Sequence, residues 1–84
     1  MKYIIAKTAA VFGVECEDIR SRNKTKRIAD AKRAAILVMH EKGYAWKAIG
    51  RELGIHHAAV MRHAHKAARI EDERWLGMCQ QVRV

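Results

Sequence analysis

The sequence predicts an all-α fold, a compact bundle of five to six helices. Three observations lead there. The chain is rich in alanine, lysine and arginine and holds no proline; such residues lose little side-chain freedom in a helix and keep every backbone donor. Apolar residues recur at helical spacing in several windows, and glycines close three of them. No stretch of six residues alternates Val, Ile, Thr or Tyr with polar side chains, as a half-buried strand would. Eighty-four residues supply one domain, spanning 1–84, with a small core.

Residues 2–12 carry Ile4, Ile5, Thr8, Ala9 and Phe12 along one amphipathic stripe, and Gly13 is placed to stop that helix. Val14 leads into a short acidic helix around Glu15–Ile19, and the polar, basic run from Arg20 to Thr25 reads as a loop. The longest helix runs from Lys26 to Lys42, with Ile28, Ala31, Ala35 and Val38 on one face and Ala34 and Leu37 beside it; Gly43 ends it. A further helix from Ala45 to Leu53 is broken by Gly54, and another starts at His56 or His57 and continues to Arg69. Glu71, Asp72 and Glu73 then open a last segment containing Trp75, Leu76 and Met78, the acids suiting the positive end of a helix dipole. The tail, 71–84, has two arrangements open to it. It folds back on the first helix, or it offers an interface to a second copy or a partner protein.

The two helices near 45–66 have the spacing of a helix-turn-helix. That motif needs a small residue where its helices cross, a glycine at the turn, and apolar residues locking both helices inward. Ile49 and Leu53 are the inward pair of the first helix, Gly50 is the small residue, and Gly54 supplies the turn. Ile55 follows as a plug, and Val60 and Ala64 continue the inward face of the second helix. Trp46 is expected to pack beneath the turn, the alternative being an indole N–H offered to a phosphate.

The charge is +8 with a pI near 10.0, and it is segregated. Between Arg20 and Arg33 lie Arg20, Arg22, Lys24, Lys26, Arg27, Lys32 and Arg33 against Asp30 alone, while acids gather at 15–18 and 71–73. Such a patch suits a polyanion, and with a helix-turn-helix beside it the expected partner is double-stranded DNA. The start of the second helix would meet base edges in the major groove, through His56, His57, Ala58, Ala59 and Arg62. Lys66 and Arg69, further along, suit phosphates.

From Tyr3 to Ile70 the sequence resembles the C-terminal DNA-binding domain of the bacterial replication initiator DnaA, a helix-turn-helix fold related to the Trp repressor. Val11-Phe12-Gly13-Val14 with Glu17-Asp18-Ile19-Arg20-Ser21, the segment Arg22 to Met39, and Ala48-Ile49-Gly50-Arg51-Glu52-Leu53-Gly54 carry the likeness. The family signature Gly-Arg-Asp-His-Thr-Thr-Val-Leu-His-Ala stands here as Ile55-His56-His57-Ala58-Ala59-Val60-Met61-Arg62-His63-Ala64. His57 and Val60 match it, one residue is missing before it, His56 replaces the Asp, and Ala58 and Ala59 replace both threonines. These departures fall on positions that read bases in the family, and they bear on which DNA sequence is read. The resemblance also implies that Lys24 enters the minor groove and that Arg22, Lys26, Lys32 and Arg33 contact phosphates. The leading expectation is sequence-specific duplex binding that serves regulation of replication or transcription, in a stand-alone relative such as a phage or mobile-element protein. Two alternatives stand beside it: the recognition subunit of an oligomeric packaging or recombination protein, and a protein-interaction adaptor that has lost DNA.

Other chemistry is not expected. His56, His57, His63 and His65 form no i, i+4 pair and have no carboxylate or thiolate at ligand spacing, so no metal and no cofactor are predicted. GxxxxGK[ST] does not occur, which argues against a nucleotide. The chain is too short to enclose a catalytic pocket around Cys16 or Cys79, so no enzyme is expected. The cysteines stand singly, without CxxC spacing, and are read as free thiols. No apolar run approaches the roughly 18 residues of a membrane span, and the stretch around Ile4 is too short for a signal peptide. A cytoplasmic location is the expectation.

Overall fold

The computed structural model covers all 84 residues and contains six helices and no strand. They are α1 (Lys2–Phe12), α2 (Cys16–Ile19), α3 (Lys26–Glu41), α4 (Trp46–Leu53), α5 (His57–Ala67) and α6 (Glu73–Arg83). The helix boundaries agree with the periodicity reading to within a few residues. Its largest departures are α5, which stops at Ala67 with a turn over the next two residues, and α6, which waits until Glu73.

α3 is the spine. Every other helix packs on it, so its buried residues Ile28, Ala31, Ala34, Ala35, Ile36, Val38 and Met39 surround much of its axis rather than forming one stripe. Alanines at three of these positions let neighbouring backbones come close. All six helices contribute to one core of 18 residues, with Ile5, Ile19, Ile36, Met39, Ile49 and Val60 fully buried. Trp46 stacks on His40 at 3.7 Å between ring centroids and packs against this core from the start of α4.

The C-terminal tail packs in cis. Asp72 caps α6, its Oδ1 accepting from the amides of Arg74 and Trp75 at 2.9 and 3.3 Å. Trp75, Cys79 and Val82 are buried in the common core, and α6 lies against α1 and α3. The Trp75 indole donates to the Asp30 carbonyl at 3.0 Å, and the Arg83 guanidinium forks onto Glu41 at 2.8 and 2.9 Å. The stripe of Trp75, Cys79 and Val82 is therefore used inside the molecule, while Leu76 stays exposed. Burial pushes the Cys79 thiol up to about 11, as befits a small core residue. No helix is long and apolar enough to cross a membrane.

Candidate nucleic-acid interface

α4 and α5 meet through a tight turn. Gly54 adopts φ 70°, a left-handed conformation that costs glycine little, and the Ile55 amide donates to the Gly50 carbonyl at 3.0 Å. Gly50 is where the two helices come closest: a Cβ there would stand 2.7 Å from the Ile55 carbonyl oxygen and 3.3 Å from the His57 amide nitrogen. Ile49, Leu53 and Val60 are buried beneath the turn and fix the crossing to the core.

The entry to α5 is capped by histidine. His56 Nδ1 accepts from the Ala58 amide at 3.0 Å, the service an aspartate or asparagine usually performs at this position. An Nδ1 that accepts leaves the proton of the neutral ring on Nε2, so His56 retains one donor for a ligand. Its ring lies against that of His57, 4.2 Å between centroids. Beyond the cap, Ala58, Met61, Arg62, His65 and Lys66 are exposed, while His57 and Ala59 are half-buried. Arg69 is exposed in the turn that follows α5.

The basic loop between α2 and α3 is braced rather than free. The Asn23 carboxamide oxygen accepts from the Thr25 amide at 2.9 Å and its hydroxyl at 2.6 Å. The Ser21 hydroxyl donates to the Asp18 carbonyl at 2.7 Å and accepts from the Asn23 amide at 3.1 Å. Arg20 pairs with Glu52 of α4 at 2.9 Å and ties the loop to the helix-turn-helix. The result presents Arg22 and Lys24 to solvent.

Loop, α3 and α5 enclose a cleft of about 570 Å³ whose charged lining is Arg22, Lys24, Lys32, Arg33, Arg62 and Lys66, with His56 and His63. A second cleft of about 530 Å³ lies on the other side of the α5 entry, lined by Lys47, Arg51, His56 and His57 around the glycine turn. His56, Gly54 and Ile55 belong to both, so the two clefts flank the start of α5. Neither contains a carboxylate. Two clefts elsewhere on the molecule do: Asp30 and Asp72 line one, Glu15 and Asp18 another.

The sequence model for the bacterial DnaA protein helix-turn-helix matches residues 1–67. The chain belongs to that family. The match runs from the first residue to the last of α5 and leaves α6 outside it. No curated protein matches the chain. The DnaA helix-turn-helix is a DNA-binding domain rather than a catalytic one, and its ligand is double-stranded DNA.

Within this DnaA-type domain the expected site residues divide. The structure brings Arg22, Lys24, Arg33, His56, Arg62 and Lys66 together around one cleft. Lys32 lines the same cleft but also serves the fold. It is 5 % exposed and its amine donates to the Ser21 carbonyl, so it anchors the loop, and burial holds its pKa below the usual lysine value. Lys26 stands apart from that cleft: its exposed side chain pairs with Asp30 at 3.0 Å and lines the separate cleft beside Trp75 and Asp72. Arg33 is held partly by Asp30, at 3.9 Å, with its Nε buried and unpartnered. The sequence reading missed Lys47, Arg51, Asn23 and His63. Lys47 and Arg51 were findable, four residues apart and opposite Ile49 and Leu53; the other two depend on tertiary packing.

His63 is changed by that packing. Its Nδ1 is buried without a partner. Burial, then the charges of Arg33, Lys32, Lys66 and Arg62, lower its pKa from 6.5. A histidine whose folded pKa is depressed binds fewer protons folded than unfolded, so its contribution to stability is present above 6.5 and is lost as the pH falls below it. His63→Gln, neutral throughout, is expected to flatten that loss. Urea melts of both proteins above and below 6.5 check this; parallel losses would refute it.

Proposed function

We propose that this domain binds duplex DNA sequence-specifically and regulates replication or transcription, in a phage or similar mobile element and in the cytoplasm. One observation carries the binding mode: two cationic clefts without a carboxylate flank the start of the second helix of the helix-turn-helix. In this reading the α5 entry lies in the major groove, with His56, His57 and Arg62 donating to base edges and the methyls of Ala58 and Ala59 against thymine. Lys24 reaches the minor groove from the braced loop, and Arg22, Arg33, Lys66 and Arg69 contact phosphates. The alanines have no hydrogen-bonding group, and His56 is partly committed to its cap. Base readout then rests chiefly on His57, Arg62 and the free Nε2 of His56, which favours a target other than the DnaA box.

Selection of bound fragments from a random duplex library, with a DnaA-box duplex as competitor at two salt concentrations, tests this reading. Salt-sensitive binding with an enriched motif supports it; no duplex binding at low salt, or binding without any enrichment, overturns it. Arg62→Ala is expected to weaken binding to the enriched motif about tenfold, the low end of a lost bidentate base contact. Random duplex should lose less, so preference relaxes. Equal losses on both would make Arg62 a phosphate contact.

A further inference from the structure

α4 carries its own cationic edge. Lys47 and Arg51 lie one turn apart, both exposed, on the side of the helix away from Ile49 and Leu53. Together with His56 and His57 they line the cleft on the α4 side of the α5 entry. Neither cation is paired. The four ion pairs of the molecule involve Arg20, Lys26, Arg33 and Arg83, and the one acid of α4, Glu52, is drawn away to Arg20. The edge is also rigidly placed, because Gly50, between the two cations in sequence, meets the Ile55 backbone with no room for a side chain.

The groove that would receive α5 has two walls. A major groove is about 12 Å wide and a helix with its side chains about 10–12 Å across, so an inserted helix fills it and faces a phosphate backbone on each side. The loop-side cleft can reach only one of them. We propose that Lys47 and Arg51 form a second phosphate-contacting edge, holding the strand opposite the one held by Arg22 and Lys66. This rests on α5 being the groove-entering helix. Such contacts add affinity and fix the angle at which α5 enters, and they carry no sequence information. The domain thereby straddles the groove and grips both strands, although its base-reading surface is small.

The test is duplex binding by Lys47→Gln/Arg51→Gln across a salt series, on random duplex and on the motif selected by the wild-type protein. The log–log salt slope is expected to fall by about 1.8, at roughly 0.9 for each lost contact. Both duplexes should lose affinity by the same factor, leaving the preference between them intact. Methylphosphonates placed on one strand at a time provide the strand assignment: neutralising the phosphates on one strand should weaken wild type and leave the double variant unaffected. Lys47→Arg/Arg51→Lys should keep the wild-type slope. An unchanged slope in the double variant, with wild-type binding intact, overturns the α4 edge while leaving the proposed function standing. Failure of the wild-type protein to bind any duplex overturns both.

Discussion

Gly50→Ala is expected to lose roughly 2–3 kcal/mol of stability, with a fall in Tm of about 10–20 °C, and with it DNA binding at physiological temperature. Two effects of opposite sign compete. Alanine is the better helix former by about 1 kcal/mol in an exposed position, and by propensity alone the substitution would stabilise α4. The added Cβ, however, would sit 2.7 Å from the Ile55 carbonyl oxygen and 3.3 Å from the His57 amide nitrogen. Both are backbone atoms and cannot swing aside as a flexible side chain would. Relief requires the turn to open, and the Ile55 amide, which donates to the Gly50 carbonyl itself, moves with it. Overpacking against backbone therefore outweighs propensity. Ile49 and Leu53 on α4 and Val60 on α5 are buried in the same core, so an opened crossing also loosens their packing. Thermal melts of the variant check this. A Tm at or above wild type would show that α4 and α5 pack less closely than the structure indicates.

The same glycine shows what the sequence made legible. Gly50, Gly54, Ile49, Leu53 and Val60 stand at the spacing that a crossed helix pair requires, and the structure places each of them accordingly. Local signals of this sort survive folding because they encode one turn of backbone and its immediate contacts. The burial of Lys32 was not legible, for the complementary reason. Its place in a run of cations says surface, whereas its burial follows from α2, α4 and α5 closing around α3 and from the loop carbonyl of Ser21 that needs a donor. Lys26 looked equivalent to its neighbours, yet it alone of the loop-side lysines pairs with an acid, Asp30, one turn later. The tail was undecidable in sequence because its stripe of Trp75, Cys79 and Val82 fits any apolar surface. What assigns it to α1 and α3 is the pairing of Arg83 with Glu41, 42 positions away, and of the Trp75 indole with the Asp30 carbonyl. His56 was legible as a residue at the right place but not in its second role, since a histidine cap is uncommon and depends on the ring turning back on the Ala58 amide.

Neutralising the loop-side edge should produce the largest loss of affinity. In Arg22→Gln/Lys24→Gln/Lys66→Gln, three exposed cations around one cleft are removed. Arg22 and Lys66 on phosphates and Lys24 between the phosphates that wall the minor groove each displace a counterion, so at about 0.9 per cation the salt slope should fall by about 2.7. Since the electrostatic contribution fades near 1 M salt, this corresponds to more than a hundredfold weaker binding at about 0.15 M. Loss of fold can be told apart from loss of contact by its sign. The net charge drops from +8 to +5 on removing three cations (8 − 3), which relieves repulsion among like charges. None of the three side chains has a hydrogen bond or ion pair within the protein. The variant should therefore melt at or slightly above the wild-type temperature while its DNA affinity collapses. Fluorescence anisotropy across a salt series beside a thermal melt reads both quantities. A slope that stays at the wild-type value would mean that DNA meets a different face of the domain. A slope that falls together with the Tm would mean that these cations support the braced loop, in which case Asn23→Ala, which breaks the loop without removing charge, should reproduce the defect.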